Sequence, residues 1–380
     1  MADVDALLWG DTSKLVTLGE IRAAQLVLRE FPDVLRTPML PNWPLELSDS
    51  STGGADGSQL LNLHLKLESL QTTGSFKIRG MRYKLHASDI AQLRAAVSTH
   101  AIPQLDFSTD AGPRGPVRDC LRFQGVVTLS AGNAGRAVSY MCQQEGIDAK
   151  VFMPETAPDH KKAMMEGLGA TVVKVPGEAL LDEVAACITA ENRVLVHPFD
   201  DLDLIRGHAS CGLEILEDCP DVDVVVVCVG GGGLIAGIAA AVKLAGSKAR
   251  VIGVEPTGAP SMHMSRASGQ PEWCPDGGKT DTIAEGLAPP FAGHAAFKHI
   301  EAFVDDLVLV TDDEMREATR VLFRAGIVCE VSGAAAVAAV MAGRCGDLTG
   351  LKVACTISGR NVGVDEYAAA LAPGTTAAHM

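Results

Sequence analysis

The sequence predicts an α/β protein in which mostly parallel sheets carry helices on both faces. Short apolar runs that are typical of strands alternate with helical patterns along most of the chain, and this alternation indicates a parallel sheet. The chain has 380 residues, of which 47% are hydrophobic and 4% aromatic, so we expect a core rich in Val, Leu and Ala rather than disorder. That length suits two domains or one large α/β unit.

Each element is predicted from a local signal. Residues 17–20 (TLGE) form a capping box that opens a helix running to about Phe31, and the alternation in 61–67 (LNLHLKL) indicates a strand. Further strands are predicted, in chain order, at 125–129, 149–153, 170–175, 193–197, the valine run from 222, 250–255, 308–310 and 352–357. Helices are predicted from about Ala134, at 159–168, near 179–189, at 234–244, from 311–314 and after Ser332. Loop-rich pieces at 102–118 and 256–281 interrupt the series.

Charge and cysteine content exclude several classes of function. The net charge is −15 and no basic run occurs, which disfavours nucleic acid and anionic membranes as partners. The ten cysteines form no C-x-x-C pair, so we expect neither a metal cluster nor a disulfide framework. The N-terminal residues lack a secretory signal pattern, and a reducing cytoplasm is the expected compartment. The uncharged stretch 224–242 has the length of a membrane span, but its glycines indicate strand, loop and buried helix instead.

Four consecutive glycines follow the valine run: Gly230, Gly231, Gly232 and Gly233. Glycine inside an element costs about 0.5–1 kcal/mol relative to alanine, so the block needs a reason. Backbone N–H groups at a helix start bind phosphate, which predicts a phosphate-bearing cofactor here. The block also fits the dinucleotide pattern G-x-G-x-x-A through Ala236, with Glu255 placed as a ribose-binding acid. A nicotinamide dehydrogenase therefore remains an alternative.

Two further segments favour a different cofactor. In QTTGSFKIRG (71–80), Lys77 follows a turn and stands beside Phe76, although a solvated lysine at a helix start would look the same. In SAGNAGRA (130–137), a glycine-bearing turn opens a helix whose N–H groups can bind a carboxylate, and Asn133 can hydrogen-bond a phenolic oxygen. A lysine amine, a phosphate cradle and a carboxylate cradle together indicate pyridoxal 5'-phosphate, whose aldehyde forms a Schiff base with lysine.

The motifs also resemble a known family. LKLESLQTTGSFKIRG, SAGNAG, MPETAPDHKKAMMEGLGATVV, HPFDDLDLIRGHAS, VGGGGLIAG, IAEGLAP and TISGRN resemble the fold type II, tryptophan-synthase-like pyridoxal phosphate enzymes. Among these, the chain is similar to the serine/threonine dehydratases and the serine racemases over about 37–362. The resemblance implies two open, mostly parallel sheets, a large cofactor domain (1–89 and 199–380), a smaller inserted domain (90–198) and a homodimer.

The resemblance implies roles for individual residues. Lys77 carries the Schiff base, Phe76 packs beside the cofactor ring, and Asn133 bonds its phenolic oxygen. The phosphate is held by the four glycines and Leu234. Ser358 is the neutral partner of the pyridine nitrogen. The substrate carboxylate is bound by Ser130, Ala131, Gly132 and Asn133, with Thr72 beside them.

Two positions bear on the reaction. A hydroxyl such as Ser358 cannot keep the pyridine nitrogen protonated, so the ring is a weak electron sink and prompt loss of a β-leaving group is favoured. Ala131 stands where the resembling racemases have an acid/base serine, which implies proton transfer on the Lys77 face alone, unless the alanine merely packs well. We therefore expect a dehydratase that converts L-serine or L-threonine to the 2-oxo acid and ammonia. A racemase, a lyase for 3-hydroxyaspartate or phenylserine, and a non-catalytic sensor remain alternatives.

The resemblance also implies a cation site. Glu255 and Ser261 would form it with the carbonyls of Ala259 and Leu287, and a single carboxylate among neutral oxygens favours potassium over Mg²⁺. Alternatively, Glu255 is only a helix-cap or core-edge carboxylate. An arginine for a second substrate carboxylate is absent near Asp182, so hydroxyaspartate is less favoured. The segment 102–122 is longer than the family's usual link, which leaves the choice of substrate open.

Overall fold

A computed structural model describes residues 14–47, 59–87 and 124–372, so the loop predicted at 102–118 and the long segment 102–122 lie outside the described residues. The chain divides into two compact units. Gly80–Pro198 belongs to the smaller unit, and Asp11–Arg79 with Phe199–Met380 forms the larger one. The predicted division into 1–89 with 199–380 and 90–198 places the first boundary later, and its assignment of roles to the domains stays a prediction.

The strands form two sheets. In chain order the described strands are Met39–Leu47 (β1), Gln59–Lys66 (β2), Val126–Leu129 (β3), Ala149–Pro154 (β4), Thr171–Val175 (β5), Val194–Leu195 (β6), Val224–Cys228 (β7), Arg250–Pro256 (β8), Asp306–Val310 (β9) and Val353–Thr356 (β10). The larger unit has the order β1-β2-β10-β7-β8-β9, and the smaller unit has β5-β4-β3-β6. Only the β1–β2 pair is antiparallel among the described ladders. The predicted α/β class with two open, mostly parallel sheets is confirmed.

Helices lie between the strands. In chain order they are Leu18–Arg29 (α1), Lys77–Ala87 (α2), Asn133–Glu145 (α3), Asp159–Gly167 (α4), Leu180–Glu191 (α5), Leu202–Asp218 (α6), Gly233–Leu244 (α7), Ser261–Ser268 (α8), His294–Phe303 (α9), Asp312–Arg324 (α10), Val331–Met341 (α11) and Val364–Leu371 (α12). Short 3₁₀ turns occupy Glu68–Leu70, Gly177–Ala179 and Glu285–Leu287, and Pro275–Gly278 is a single irregular turn. The capping box predicted at Thr17 with Glu20 is confirmed, and the helix predicted from 311–314 also begins with a capping box, formed by Thr311 and Glu314.

The valine run lies at the centre of the larger unit. Every residue of β7 is buried, as expected for a strand with neighbours on both sides and helices on both faces. Helix α7 follows it and is buried over most of its length, so the uncharged stretch 224–242 is a strand, a glycine turn and a core helix. Among the described residues, none of the helices has the length and apolar composition to cross a membrane.

Helices α6 and α7 pack closely, and this contact positions the site. A Cβ added at Gly237 would lie 2.6 Å from the carbonyl oxygen of Ile205 and 2.7 Å from the backbone nitrogen of Ala209. A Cβ added at Gly212 would lie 2.9 Å from the Ala241 Cβ. These glycines therefore allow α6 to lie directly against the helix that begins at the glycine block.

Candidate active site

Lys77 is the first residue of α2, at the end of a turn that the chain after β10 holds in place. The backbone N–H of Phe76 donates to the Ser358 carbonyl oxygen at 3.1 Å, and the Asn361 side chain donates to the Thr73 carbonyl oxygen at 2.8 Å. Gly74 has a φ of +79° and faces Asn361 so closely that a Cβ would lie 2.2 Å from its Oδ1 atom. These hydrogen bonds hold the turn before Lys77 against Ser358, the residue predicted to be the neutral partner of the pyridine nitrogen.

The amino group of Lys77 has unusual electrostatics. It lies 5.0 Å from the centre of the Phe76 ring. Although the side chain as a whole is partly exposed, burial of the amino group lowers the pKa of Lys77 to about 8, against the opposing effect of nearby Cys228. A lysine whose pKa is lowered by desolvation is an effective nucleophile and base near neutral pH. Lys77 is therefore not the well-solvated lysine that a helix start usually carries.

Ser358 lies beyond the carboxyl end of β10, beside the end of β7. Its side chain is buried and hydrogen-bonds with the Cys228 thiol. Burial raises the pKa of Cys228 to about 11, and the charge of Glu330 adds to this effect. The thiol therefore stays protonated, so Cys228 and Ser358 are both neutral groups. This agrees with its predicted role as a neutral partner, which stays a prediction.

The glycine block is shaped by its contacts with Phe199. A Cβ at Gly231 would lie 2.1 Å from the Phe199 ring, and one at Gly233 would lie 2.4 Å from its carbonyl oxygen. Gly232, the N-cap residue of α7, has a φ of +93° and would place a Cβ 2.6 Å from Met262. Gly232 has no side chain that could accept hydrogen bonds, so it does not cap the first N–H groups of α7. This fits the predicted phosphate cradle of Gly230 to Leu234.

Buried hydroxyls around Lys77 also fit a polar ligand. Within the described residues, Thr73 Oγ1 and Ser75 Oγ are buried without a hydrogen-bond partner. An unpaired buried hydroxyl costs about 1–3 kcal/mol, so such atoms are usually partnered in the working state of a protein. Thr72 lies exposed on the same turn. The turn therefore carries polar groups that suit a cofactor with phosphate, hydroxyl and ring-nitrogen atoms.

A buried ion network holds the lysine helix. The Arg79 guanidinium donates to Glu68 at 2.7 and 2.8 Å and to Glu214 at 2.8 and 2.7 Å. Lys66 also donates to Glu214, at 2.6 Å. Burial would raise the pKa of Glu68, but the charge and hydrogen bonds of Arg79 outweigh it and lower the pKa to about 2. The network joins α2 to the Glu68–Leu70 turn and to α6.

The predicted carboxylate cradle lies in the smaller unit. Residues 130–133 are half-buried, and α3 begins at Asn133 with Gly132 as its N-cap. The N–H of Gly132 donates to the Ser130 hydroxyl at 3.1 Å, which closes the turn. A Cβ at Gly135 would lie 2.8 Å from the Ser130 carbonyl oxygen, so this glycine allows the tight turn. Substrate binding by Ser130, Ala131, Gly132 and Asn133 stays a prediction.

The four residues of the predicted cation site are all buried, and Glu255 has a structural role of its own. Its carboxylate accepts hydrogen bonds from the N–H groups of Met262 at 2.8 Å and His263 at 2.6 Å. Burial raises the pKa of Glu255 to about 8 despite these bonds. Glu255 thus caps the start of α8, in the loop-rich piece 256–281, as the helix-cap alternative supposed. This geometry does not suit a ribose-binding acid, and a cation shared with Ala259, Ser261 and Leu287 stays a prediction.

Sequence reasoning missed three polar residues of this neighbourhood. Cys228 lies two residues before the glycine block and Glu330 directly precedes α11, so their closeness to recognised motifs was an available signal. His208 belongs to a motif that carried the resemblance, but no role was predicted for it. Its ring lies 4.9 Å from the Phe76 ring, centre to centre.

Comparisons with known proteins agree with this geometry. The family model described as pyridoxal-phosphate dependent enzyme matches residues 41–359. An L-threonine ammonia-lyase of Thermotoga maritima is 36% identical over 356 residues, which cover 92% of this chain and 77% of that protein. A catabolic L-threonine dehydratase of Escherichia coli strain K12 is 37% identical over 305 residues, covering 79% and 83%.

The solved structure of serine racemase from Dictyostelium discoideum matches with a TM-score of 0.70 and 30% identity, covering 92% of this chain and 99% of the racemase. The predicted kinship with the fold type II enzymes, the dehydratases and the racemases is confirmed. This chain belongs to the family of pyridoxal-phosphate dependent enzymes, and pyridoxal 5'-phosphate is its cofactor.

Proposed function

We propose that this chain is an ammonia-lyase that converts L-threonine or L-serine to the corresponding 2-oxo acid and ammonia by α,β-elimination of water. The observation that carries the proposal is the position of Lys77 at the start of α2, with its amino group beside the Phe76 ring, where burial lowers its pKa to about 8. Support comes from two relatives named for this reaction on threonine, each more than a third identical to this chain.

Lys77 is the base of the proposed reaction. Bound pyridoxal phosphate supplies an electron-withdrawing ring that acidifies the Cα–H bond of the attached amino acid. Lys77 then takes the Cα proton on its own face, and general-base assistance of this kind contributes about 10²–10⁴-fold. The N–H groups of Gly230 to Leu234 would hold the phosphate, and Phe76 would pack beside the ring.

The neutral groups of Ser358 and Cys228 favour elimination over reprotonation at Cα. Ser358 and the protonated Cys228 offer hydrogen bonds but no carboxylate for a pyridinium proton. Charge at Cα is then poorly stabilised, so loss of the β-hydroxyl precedes reprotonation. The SAGN turn would bind the substrate carboxylate through Ser130 and the N–H groups of 131–133, with Asn133 on the phenolic oxygen and Thr72 nearby.

Serine racemisation is a second candidate, because a serine racemase is among the similar structures at 30% identity. Ala131 argues against it, since a methyl group cannot deliver a proton to the face opposite Lys77. We also propose a homodimer in the cytoplasm. The nine cysteines that the structure describes are buried free thiols, which suits a reducing compartment.

A potassium ion at Glu255, Ala259, Ser261 and Leu287 completes the proposal. Activity should then survive EDTA and fall when potassium is replaced by a large organic cation. Loss of activity in EDTA that Mg²⁺ restores would show a divalent site instead.

The proposed function is tested by measuring 2-oxo acid and ammonia release from a panel of β-hydroxy amino acids. L-Threonine and L-serine should yield both products in equal amounts, and Lys77→Ala should yield neither. D-Serine accumulating in place of pyruvate would make the chain a racemase. An intact cofactor absorbance with no product from any amino acid would indicate a binding protein.

A further inference from the structure

His208 is a buried histidine that the ammonia-lyase reaction leaves without a role. It lies on α6 with none of its surface exposed. Within the described residues, neither ring nitrogen has a hydrogen-bond partner. Buried polar side chains in folded proteins are nearly always hydrogen-bonded, so an imidazole with both nitrogens unpaired requires an explanation.

The position of His208 suggests the explanation. Its ring meets the Phe76 ring edge-on, with the ring centres 4.9 Å apart. Burial lowers the pKa of His208 well below its usual value, and the charge of Lys77 lowers it further. Arg79 acts in the same direction and Glu68 in the opposite one. The ring is therefore neutral near physiological pH, with one donor and one acceptor available beside the cofactor lysine.

The two other buried polar residues of α6 are used by the fold. Ser210 donates to the Gly207 carbonyl oxygen at 2.7 Å and accepts from Arg79 at 3.0 Å, and Glu214 accepts from Arg79 and Lys66. The buried His299 of α9 is also paired: its Nε2 accepts from the Val16 N–H at 3.0 Å, and its Nδ1 lies 2.7 Å from the Ala295 carbonyl oxygen. His208 therefore differs from His299, because neither of its ring nitrogens is paired within the fold. Among the described residues, Thr128 and Thr356 also have a buried unpaired hydroxyl, but neither contacts the ring of Phe76 beside Lys77 as His208 does.

We propose that His208 is a positioning residue for the cofactor, and that its imidazole hydrogen-bonds with a polar atom of bound pyridoxal phosphate beside Lys77. Helix α6 lies against α7, whose first residues form the glycine cradle, so one helix pair supports both contacts. The inference rests on the cofactor and not on the choice of substrate, so it can hold even if the ammonia-lyase assignment fails.

The test compares the unmutated chain with His208→Phe, His208→Gln and the matched control His299→Phe. Two quantities are measured: the melting temperature of the cofactor-free chain, and the dissociation constant for pyridoxal phosphate from an absorbance titration. His208→Phe removes an unpaired polar ring, so the melting temperature should stay the same or rise. The dissociation constant should increase about threefold to tenfold, as expected for one lost hydrogen bond. His208→Gln, which keeps a donor and an acceptor, should bind nearly as tightly as wild type.

His299→Phe should behave in the opposite way. It breaks two formed hydrogen bonds, so the melting temperature should fall while the dissociation constant stays within about twofold. The proposal is overturned if His208→Phe lowers the melting temperature without a change in cofactor affinity. It is overturned equally if His208→Gln binds the cofactor as weakly as His208→Phe, because hydrogen bonding would then not be what His208 contributes.

Discussion

The guanidinium of Arg79 and the carboxylate of Glu68 form a two-point ion pair at 2.7 and 2.8 Å, with both side chains almost fully buried. Arg79 is two residues beyond Lys77 on the same helix. Because Glu214 of α6 binds the same guanidinium, the lysine helix is fixed to the helix that carries His208. The orientation of the helix that carries Lys77 therefore depends on the buried charges of Arg79, Glu68 and Glu214.

Replacing Arg79 by methionine should lower the free energy of unfolding by about 3–5 kcal/mol. The change leaves Glu68 and Glu214 buried with too little positive charge, and only Lys66 remains to compensate. Urea denaturation measures the loss. Arg316→Ala is the matched control, because it removes an exposed pair with Asp313 and should cost about 0–1 kcal/mol. Equal effects of the two substitutions would contradict the role given to the network.

The rate at which the cofactor-free chain captures pyridoxal phosphate should rise with pH and level off above about 8. Only the neutral amine of Lys77 attacks an aldehyde, and burial lowers its pKa from the ordinary lysine value of about 10.4. The neutral form is therefore lost as the pH falls through about 8. Stopped-flow absorbance follows capture, and Lys77→Ala should show none. A midpoint near the ordinary lysine value would show that the amino group is solvated.

Gly231→Ala should destabilise the chain and weaken cofactor binding. The added methyl would lie 2.1 Å from the Phe199 ring, and overpacking of this kind costs about 1–3 kcal/mol. The displaced backbone would also move the N–H groups of the phosphate cradle. Gly167→Ala serves as the control, because its added Cβ meets nothing within 4 Å. The control should leave both quantities unchanged, and a harmless Gly231→Ala would mean that the loop does not need glycine there.

Ala131→Ser should slow elimination and raise the rate of racemisation at least about tenfold, since a positioned acid or base contributes about 10²–10⁴-fold. The new hydroxyl can protonate Cα from the face opposite Lys77. A chiral assay of residual L-serine measures the D-isomer. Ala131→Gly also removes the methyl group but adds no proton donor, so it should produce no D-serine. Substantial D-serine from the unmutated enzyme would contradict the dehydratase assignment.

Local signals in the sequence determined much of this protein. The valine run predicts β7 because a continuous β-branched strand is stable only when both of its faces are covered. The capping boxes at Thr17 and Thr311 mark two helix starts, since each uses side chains only three residues apart. The turn that ends at Lys77 and the glycine block likewise indicated the cofactor, because each motif is a single continuous stretch of sequence.

The tertiary structure decided what depends on distant partners. Strand β1 contains two prolines, at 41 and 44, and forms only because it is an edge strand paired with β2. The contacts of Glu255 with the first N–H groups of α8 could not be read from the sequence, because Met262 and His263 lie seven and eight residues away. The apolar face of helix α6 is hard to recognise in the sequence, because the buried positions include the polar residues His208, Ser210 and Glu214. Arg79 pairs with Ser210 and Glu214, and the ring of Phe76 contacts His208. These partners are distant in the sequence, so no short window of neighbouring residues predicts the burial.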